Sequence, residues 1–168
     1  MVFYFGHPRH QALELRSRML GNLRGIIMLE CLIMGDSLAV GVGQVSKECV
    51  TYAKSGINSY DYVNRHVMHT GSNNKEAKTV IISLGSNDTA RIKTYEELDT
   101  LRHLVRADRV YWILPAIKDN KRSDVRKVAD KYGDIVIDSR QHPLSKDGVH
   151  PTYQGYQAIA NEARNTKR

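Results

Sequence analysis

The feature that most constrains the fold of this chain is a set of short apolar runs separated by helix-length segments. Thr79–Leu84 reads Thr-Val-Ile-Ile-Ser-Leu, β-branched and without polar alternation, the pattern of a strand covered on both faces. Leu29–Met34, Cys49–Ala53, Arg109–Leu114 and Asp134–Asp138 are the other strand candidates. Helical spacing marks Ser59–His69, Thr94–Val105, Ser123–Tyr132 and Thr152–Ala163. Ser59 is the expected N-cap of the first of these helices. Thr94 with Glu97 is the expected capping box of the second. Strands alternating with helices predict a parallel sheet with right-handed crossovers and helices on both faces. In such sheets the working site lies at the carboxyl ends of the strands.

Size and charge narrow the classes. The chain of 168 residues suits one domain with a single core, assigned to residues 28–168. Residues 1–27 read as a basic extension, with a short amphipathic helix pattern (Leu13, Leu15, Met19, Leu20, Leu23) inside Gln11–Leu23. Arg9, Glu14, Arg16, Arg18 and Arg24 interrupt any signal-peptide core, and Glu30 and Cys31 break the longest apolar stretch. Neither Sec-dependent export nor a membrane span is expected, so a cytoplasmic or virion-associated protein is. The net charge of +7 collects at the two ends, on Arg9, Arg16, Arg18 and Arg24 and on Arg164, Lys167 and Arg168. The body is close to balanced, and no nucleic-acid partner is expected. Cys31 and Cys49 form no disulfide framework and are read as two buried thiols. No Cys/His spacing suggests a metal, and no cofactor is expected.

Four spots carry the chemistry. Gly35-Asp36-Ser37-Leu38 follows the first strand, Gly56 the second, Gly85-Ser86-Asn87-Asp88 the third, and Asp147-Gly148-Val149-His150 the fifth. A serine hydroxyl attacks poorly until a base takes its proton. His150 is the candidate base and then acid, and Asp147, three residues earlier, is placed to fix its tautomer. Asn87 through its side chain, with Gly56 and Ser37 through backbone N–H groups, are candidate oxyanion donors. Each spot alone has a plainer reading: Ser37 as a helix N-cap, Gly56 and the Asn87 segment as polar turns, Asp147 and His150 as loop residues. Asp36 and Asp88 are read as braces of their loops, Tyr111 and Trp112 as core. Tyr153 is a candidate for the pocket mouth, and the remaining histidines are read as surface residues.

The four blocks in this order resemble the SGNH hydrolases, the GDSL esterase/lipase family, named for a Ser, Gly, Asn and His in four blocks. Here these are Ser37, Gly56, Asn87 and His150, and the closing segment Asp147-Gly-Val-His-Pro-Thr-Tyr-Gln-Gly-Tyr156 is also similar. The resemblance covers about residues 29–163; it is loosest around Ala53–Ile57 and leaves out the first 27 residues. It implies a flavodoxin-like three-layer α/β/α sandwich with five parallel strands. It also implies a serine esterase without metal or cofactor, with Ser37, His150 and Asp147 as triad and Ser37, Gly56 and Asn87 as oxyanion hole.

Short loops between the blocks suggest an open site, suited to a short acyl group on a bulky alcohol. The expectation is a serine esterase acting on a small-molecule or polysaccharide ester, O-acetyl groups on carbohydrate foremost. Alternatives are a broad short-chain esterase, thioesterase or lysophospholipase-like hydrolase. From other classes come a silent carbohydrate-binding module on the same fold and a binder of nucleic acid or anionic surfaces driven by the basic ends.

Overall fold

A computed structural model describes residues 28–68, 75–117 and 120–165. The helix pattern in Gln11–Leu23, the ends' excess charge on Lys167 and Arg168, and His69 lie outside the described residues. Five strands alternate with helices: β1 (Leu29–Gly35), α1 (Ser37–Val45), β2 (Val50–Ala53), α2 (Ser59–Asp61), β3 (Glu76–Ser83), α3 (Thr94–Leu104), β4 (Arg106–Leu114), α4 (Asn120–Tyr132), β5 (Ile135–Asp138) and α5 (Tyr153–Asn165). All pairings are parallel, in the order β2-β1-β3-β4-β5. The three-layer architecture expected from the alternation is the one observed.

The pleat of each strand divides its side chains between two cores. Leu32, Met34, Val80, Ile82, Val110, Trp112 and Leu114 pack with Leu98, Leu101, Val125 and Val128 of α3 and α4. Ile33, Ile81, Tyr111, Ile113 and Ile137 pack with Leu38, Ala39 and Val42 of α1 and Ile159, Ala160 and Ala163 of α5. Trp112 and Tyr111 are fully buried, one on each face. Each such side chain removed from water contributes roughly 1.5–3 kcal/mol before its ordering entropy is counted. Trp112 Nε1 donates to Asp134 Oδ2 at 2.9 Å, and Arg102 grips the same carboxylate with Nε at 2.7 Å and Nη2 at 3.0 Å. That ion pair ties the end of α3 to the start of β5.

Several local expectations are corrected. The helix expected over Ser59–His69 is one α-turn followed by a π-helical segment, Tyr62–Val67. Its N-cap is Asn58, whose side chain accepts from the Asp61 N–H. The N-cap of α3 is Lys93, without a side-chain bond, so there is no capping box on Thr94. The reason is shared: Ser59 Oγ (2.5 Å) and Thr94 Oγ1 (2.7 Å) both donate to Asp88 Oδ2. A half-buried carboxylate outcompetes the helix ends for these hydroxyls. The two cysteines are not free thiols but a disulfide, with Cα atoms 4.6 Å apart. Neither is fully buried, and the bond joins β1 to the turn entering β2.

Candidate active site

Ser37 is placed by the turn between β1 and α1. Gly35 has φ +129°, and a Cβ there would lie 1.8 Å from the Ser83 carbonyl oxygen. Only glycine lets β1 and β3 approach this closely while the chain turns. The next N–H, that of Asp36, donates to that same carbonyl at 2.9 Å. Asp36, not Ser37, is the N-cap of α1: its Oδ1 accepts the Leu38 N–H at 3.1 Å. It also accepts from Ser83 Oγ at 2.9 Å and Ser86 Oγ at 2.6 Å. Burial pushes the Asp36 carboxyl above its ordinary range, against the hydroxyls of Ser86 and Ser83 and the N–H groups of Leu38 and Ala39. Relieved of capping, half-buried Ser37 turns its Oγ to His150 Nε2 at 3.0 Å.

His150 and Asp147 sit on a loop that holds itself together. Asp147 Oδ1 accepts from the Val149 N–H (2.9 Å), the His150 N–H (2.9 Å) and Ser145 Oγ (2.8 Å). Its Oδ2 lies 2.6 Å from His150 Nδ1. The Val149 N–H first, then the His150 ring, the His150 N–H and Ser145, hold the Asp147 carboxyl far below its ordinary range. The His150 carbonyl in turn accepts from the Ser145 N–H at 2.7 Å and Ser145 Oγ at 2.8 Å. Asp147 is exposed and His150 half-exposed, so the arrangement stands at the surface, beyond the carboxyl end of the sheet. With the ring proton on Nδ1 facing a carboxylate, Nε2 is left as an acceptor toward Ser37.

The other two blocks are stitched to this turn. Lys54 N–H donates to the Gly35 carbonyl at 2.9 Å, which brings the loop after β2 beside the Ser37 turn. Gly56, in that loop, has φ +76° and open space around its missing side chain. Asn87 Nδ2 donates to the Ile57 carbonyl at 3.0 Å, so the loops after β2 and β3 are joined next to Gly56. Ser86, beside Asn87, is the residue that reaches Asp36. Asp88 also accepts the Ser59 N–H at 2.7 Å. Asp36 and Asp88 are thus the braces expected of them. Of the supporting hydroxyls, Ser59 and Thr94 are read in the sequence as helix caps rather than as partners of Asp88, and Ser83, Ser86 and Ser145 carry no assigned role there. Their only local signal is Ser145, two residues before Asp147.

The remaining candidates separate. Tyr153 is 64% exposed at the start of α5. His66 lies against the rings of Tyr52 and Tyr62, with centroids 5.0 and 5.6 Å away, and His142 Nε2 is 2.9 Å from Glu162. Among the described residues no group of His, Cys, Asp and Glu is arranged to hold a metal ion. No helix among them is long and apolar enough to cross a membrane.

No protein-family model matches the chain, and no curated protein matches it. Solved structures do. Protein YXIM from Bacillus subtilis is 15% identical with a TM-score of 0.60, over 83% of this chain and 56% of that one, so the chain spans little more than half of that protein. The C-terminal catalytic domain of peptidoglycan O-acetyltransferase A from Streptococcus pneumoniae is 15% identical, TM-score 0.55, over 83% of this chain and 90% of that one. A carbohydrate acetylesterase family member from Sinorhizobium meliloti is 15% identical, TM-score 0.52, over 79% and 94%. Identities this low speak to architecture. With its parallel sheet in the order β2-β1-β3-β4-β5 between two helical layers, the chain has the SGNH hydrolase fold.

Proposed function

We propose that this chain is a serine esterase that removes short acyl groups, O-acetyl groups on carbohydrate foremost. The observation that carries the reading is the unbroken relay from Ser37 Oγ through both nitrogens of His150 to Asp147, with steps of 3.0 and 2.6 Å. A silent carbohydrate-binding module has no use for such a relay. The carbohydrate part draws support from the fold shared with an acetylesterase and with a peptidoglycan O-acetyltransferase domain.

In this reading Ser37 Oγ attacks the ester carbonyl carbon as its proton passes to His150 Nε2. The imidazolium so formed is stabilised by the Asp147 carboxylate. The carbonyl oxygen becomes an oxyanion and accepts from the Ser37 N–H, the Gly56 N–H and Asn87 Nδ2. The Ser37 N–H lies in the first turn of α1, where N–H groups have no intrahelical partner. Asn87 Nδ2 donates to the Ile57 carbonyl at 3.0 Å and more weakly to Ser86 Oγ at 3.4 Å, and the oxyanion would take over the weaker of these bonds. The tetrahedral intermediate collapses, the C–O bond to the alcohol breaks, and His150 gives its proton to the departing oxygen. Water then attacks the acyl-serine with His150 again as base, releasing the acid and restoring Ser37.

Acetate release from O-acetylated oligosaccharides, set beside hydrolysis of p-nitrophenyl acetate, butyrate and octanoate, tests the substrate. Preference for acetyl esters, with acetate released from the glycan, is the expected outcome. Preference for the longer chains places the enzyme with broad esterases or lysophospholipase-like hydrolases instead.

A further inference from the structure

We infer that the ester taken by this site carries a negative charge, a carboxylate on a sugar ring, seated in the pocket beside Gly56. The inference rests on the esterase reading and adds the charge of the substrate. A cavity of about 250 Å³ opens next to the carboxyl end of β2, lined by Lys54, Gly56, Ile57, Asp61, Arg65 and His66. Gly56, whose N–H is assigned to the ester oxygen, forms part of its wall, so a group flanking the ester on that side enters it.

The charges of its wall are unequal. Lys54 is exposed and has no carboxylate partner among the described residues. Arg65 Nε is 3.3 Å from Asp61 Oδ1, and its side chain is 75% exposed. Asp61, the one acid of the wall, also accepts from Asn58 Nδ2 at 2.9 Å. Arg65 and Asp61 are paired with each other, so the wall carries one cation, Lys54, in excess of its carboxylate. A neutral ester draws nothing from that excess, whereas a carboxylate is attracted and oriented by it. Nothing within 4 Å would meet a Cβ at Gly56, so the wall is open at that residue. The His66 ring, set against Tyr52 and Tyr62, supplies a flat wall for a sugar ring. Another cavity, about 270 Å³, lies near the disulfide at the far end of β1, away from Ser37.

The test uses the full chain with Ser37→Ala, so that substrate binds without turnover. It is titrated with an O-acetylated oligouronate and with the same oligosaccharide after methyl esterification of its carboxylates. The charged form is expected to bind roughly twofold to fivefold tighter at low ionic strength, as one exposed charge pair provides. The difference shrinks in high salt and in Lys54→Gln/Arg65→Gln, and it persists in Lys54→Arg/Arg65→Lys. Equal affinity for the two forms overturns the inference, as does a charge preference that survives the double glutamine variant. The esterase reading is checked separately, by p-nitrophenyl acetate hydrolysis in the wild type. Charge-blind binding with intact hydrolysis sinks the pocket alone; charge-selective binding without hydrolysis sinks the esterase alone.

Discussion

At the scale of single residues, Asp147 is the group whose chemistry follows most directly from its contacts. Its Oδ1 is held by three donors, the Val149 N–H, the His150 N–H and Ser145 Oγ, which leaves Oδ2 alone to face the imidazole. In Asp147→Asn those three donors keep the amide oxygen on their side and turn the NH₂ toward Nδ1. Nδ1 must then accept, the ring proton moves to Nε2, and Ser37 loses its base. Esterase activity is expected to fall by about 10²–10⁴-fold while the fold survives, read as kcat/KM on p-nitrophenyl acetate beside the melting temperature. The pH profile follows from the same contacts. Because the Asp147 carboxyl is held far below its ordinary range, it stays ionised wherever a histidine takes up its proton. Asp147 therefore adds no proton-binding step of its own in that range, and the acid side of a plot of log rate against pH is expected to have a limiting slope no steeper than one. A slope of two in that range would show that the carboxylate titrates there too. Asp147 and His150 were legible in the sequence because three residues and a turn suffice to bring them together. Asp36 was legible only as a brace. Its partners Ser83 and Ser86 stand far along the chain, and common hydroxyl residues advertise no pairing at that distance.

At the scale of elements, the strands were readable and the helix starts were not. A run such as Thr79–Leu84 must be buried on both faces, and burial alone makes it a central strand. A helix start depends on which acceptor wins a hydroxyl, and Asp88 wins Ser59 and Thr94 from outside either helix. No reading of Ser59 or Thr94 with its neighbours reveals that. The β1–β3 contact gives the sharpest prediction here. In Gly35→Ala the new Cβ meets the Ser83 carbonyl, a backbone atom that cannot swing aside, at a φ that L-residues rarely adopt. A loss of about 3 kcal/mol or more in denaturant unfolding is expected, with activity lost in step because the same turn aims Ser37. Gly56→Ala is the contrast: nothing crowds the new methyl, and only the positive φ opposes it. Its cost is expected near 1 kcal/mol, read from the same unfolding curves.

At the scale of the whole molecule, one covalent bond and one site set the behaviour. The Cys31–Cys49 bond closes a segment of the chain, 18 residues apart in sequence, that contains α1 and Ser37. In the sequence, neighbouring strands could bring the two cysteines close, but two thiols are the favoured reading because the β1–β2 register that pairs their segments is not written there. Closing a loop of that length stabilises the fold by about 3 kcal/mol in the chain-entropy account. Reduction, or Cys31→Ala/Cys49→Ala, is expected to lower stability by up to that amount, seen as a lower melting temperature under dithiothreitol than without it. Such a bond holds in an oxidising compartment and opens in a reducing one, so the stabilisation depends on where the chain works. The central claim is that Ser37, activated by His150, is the nucleophile. Its most direct test is p-nitrophenyl acetate hydrolysis by the wild type and by Ser37→Ala, with matched far-UV spectra. The account predicts a wild-type rate well above background and a loss of at least about 10³-fold in the variant. Equal rates in the two proteins would contradict it.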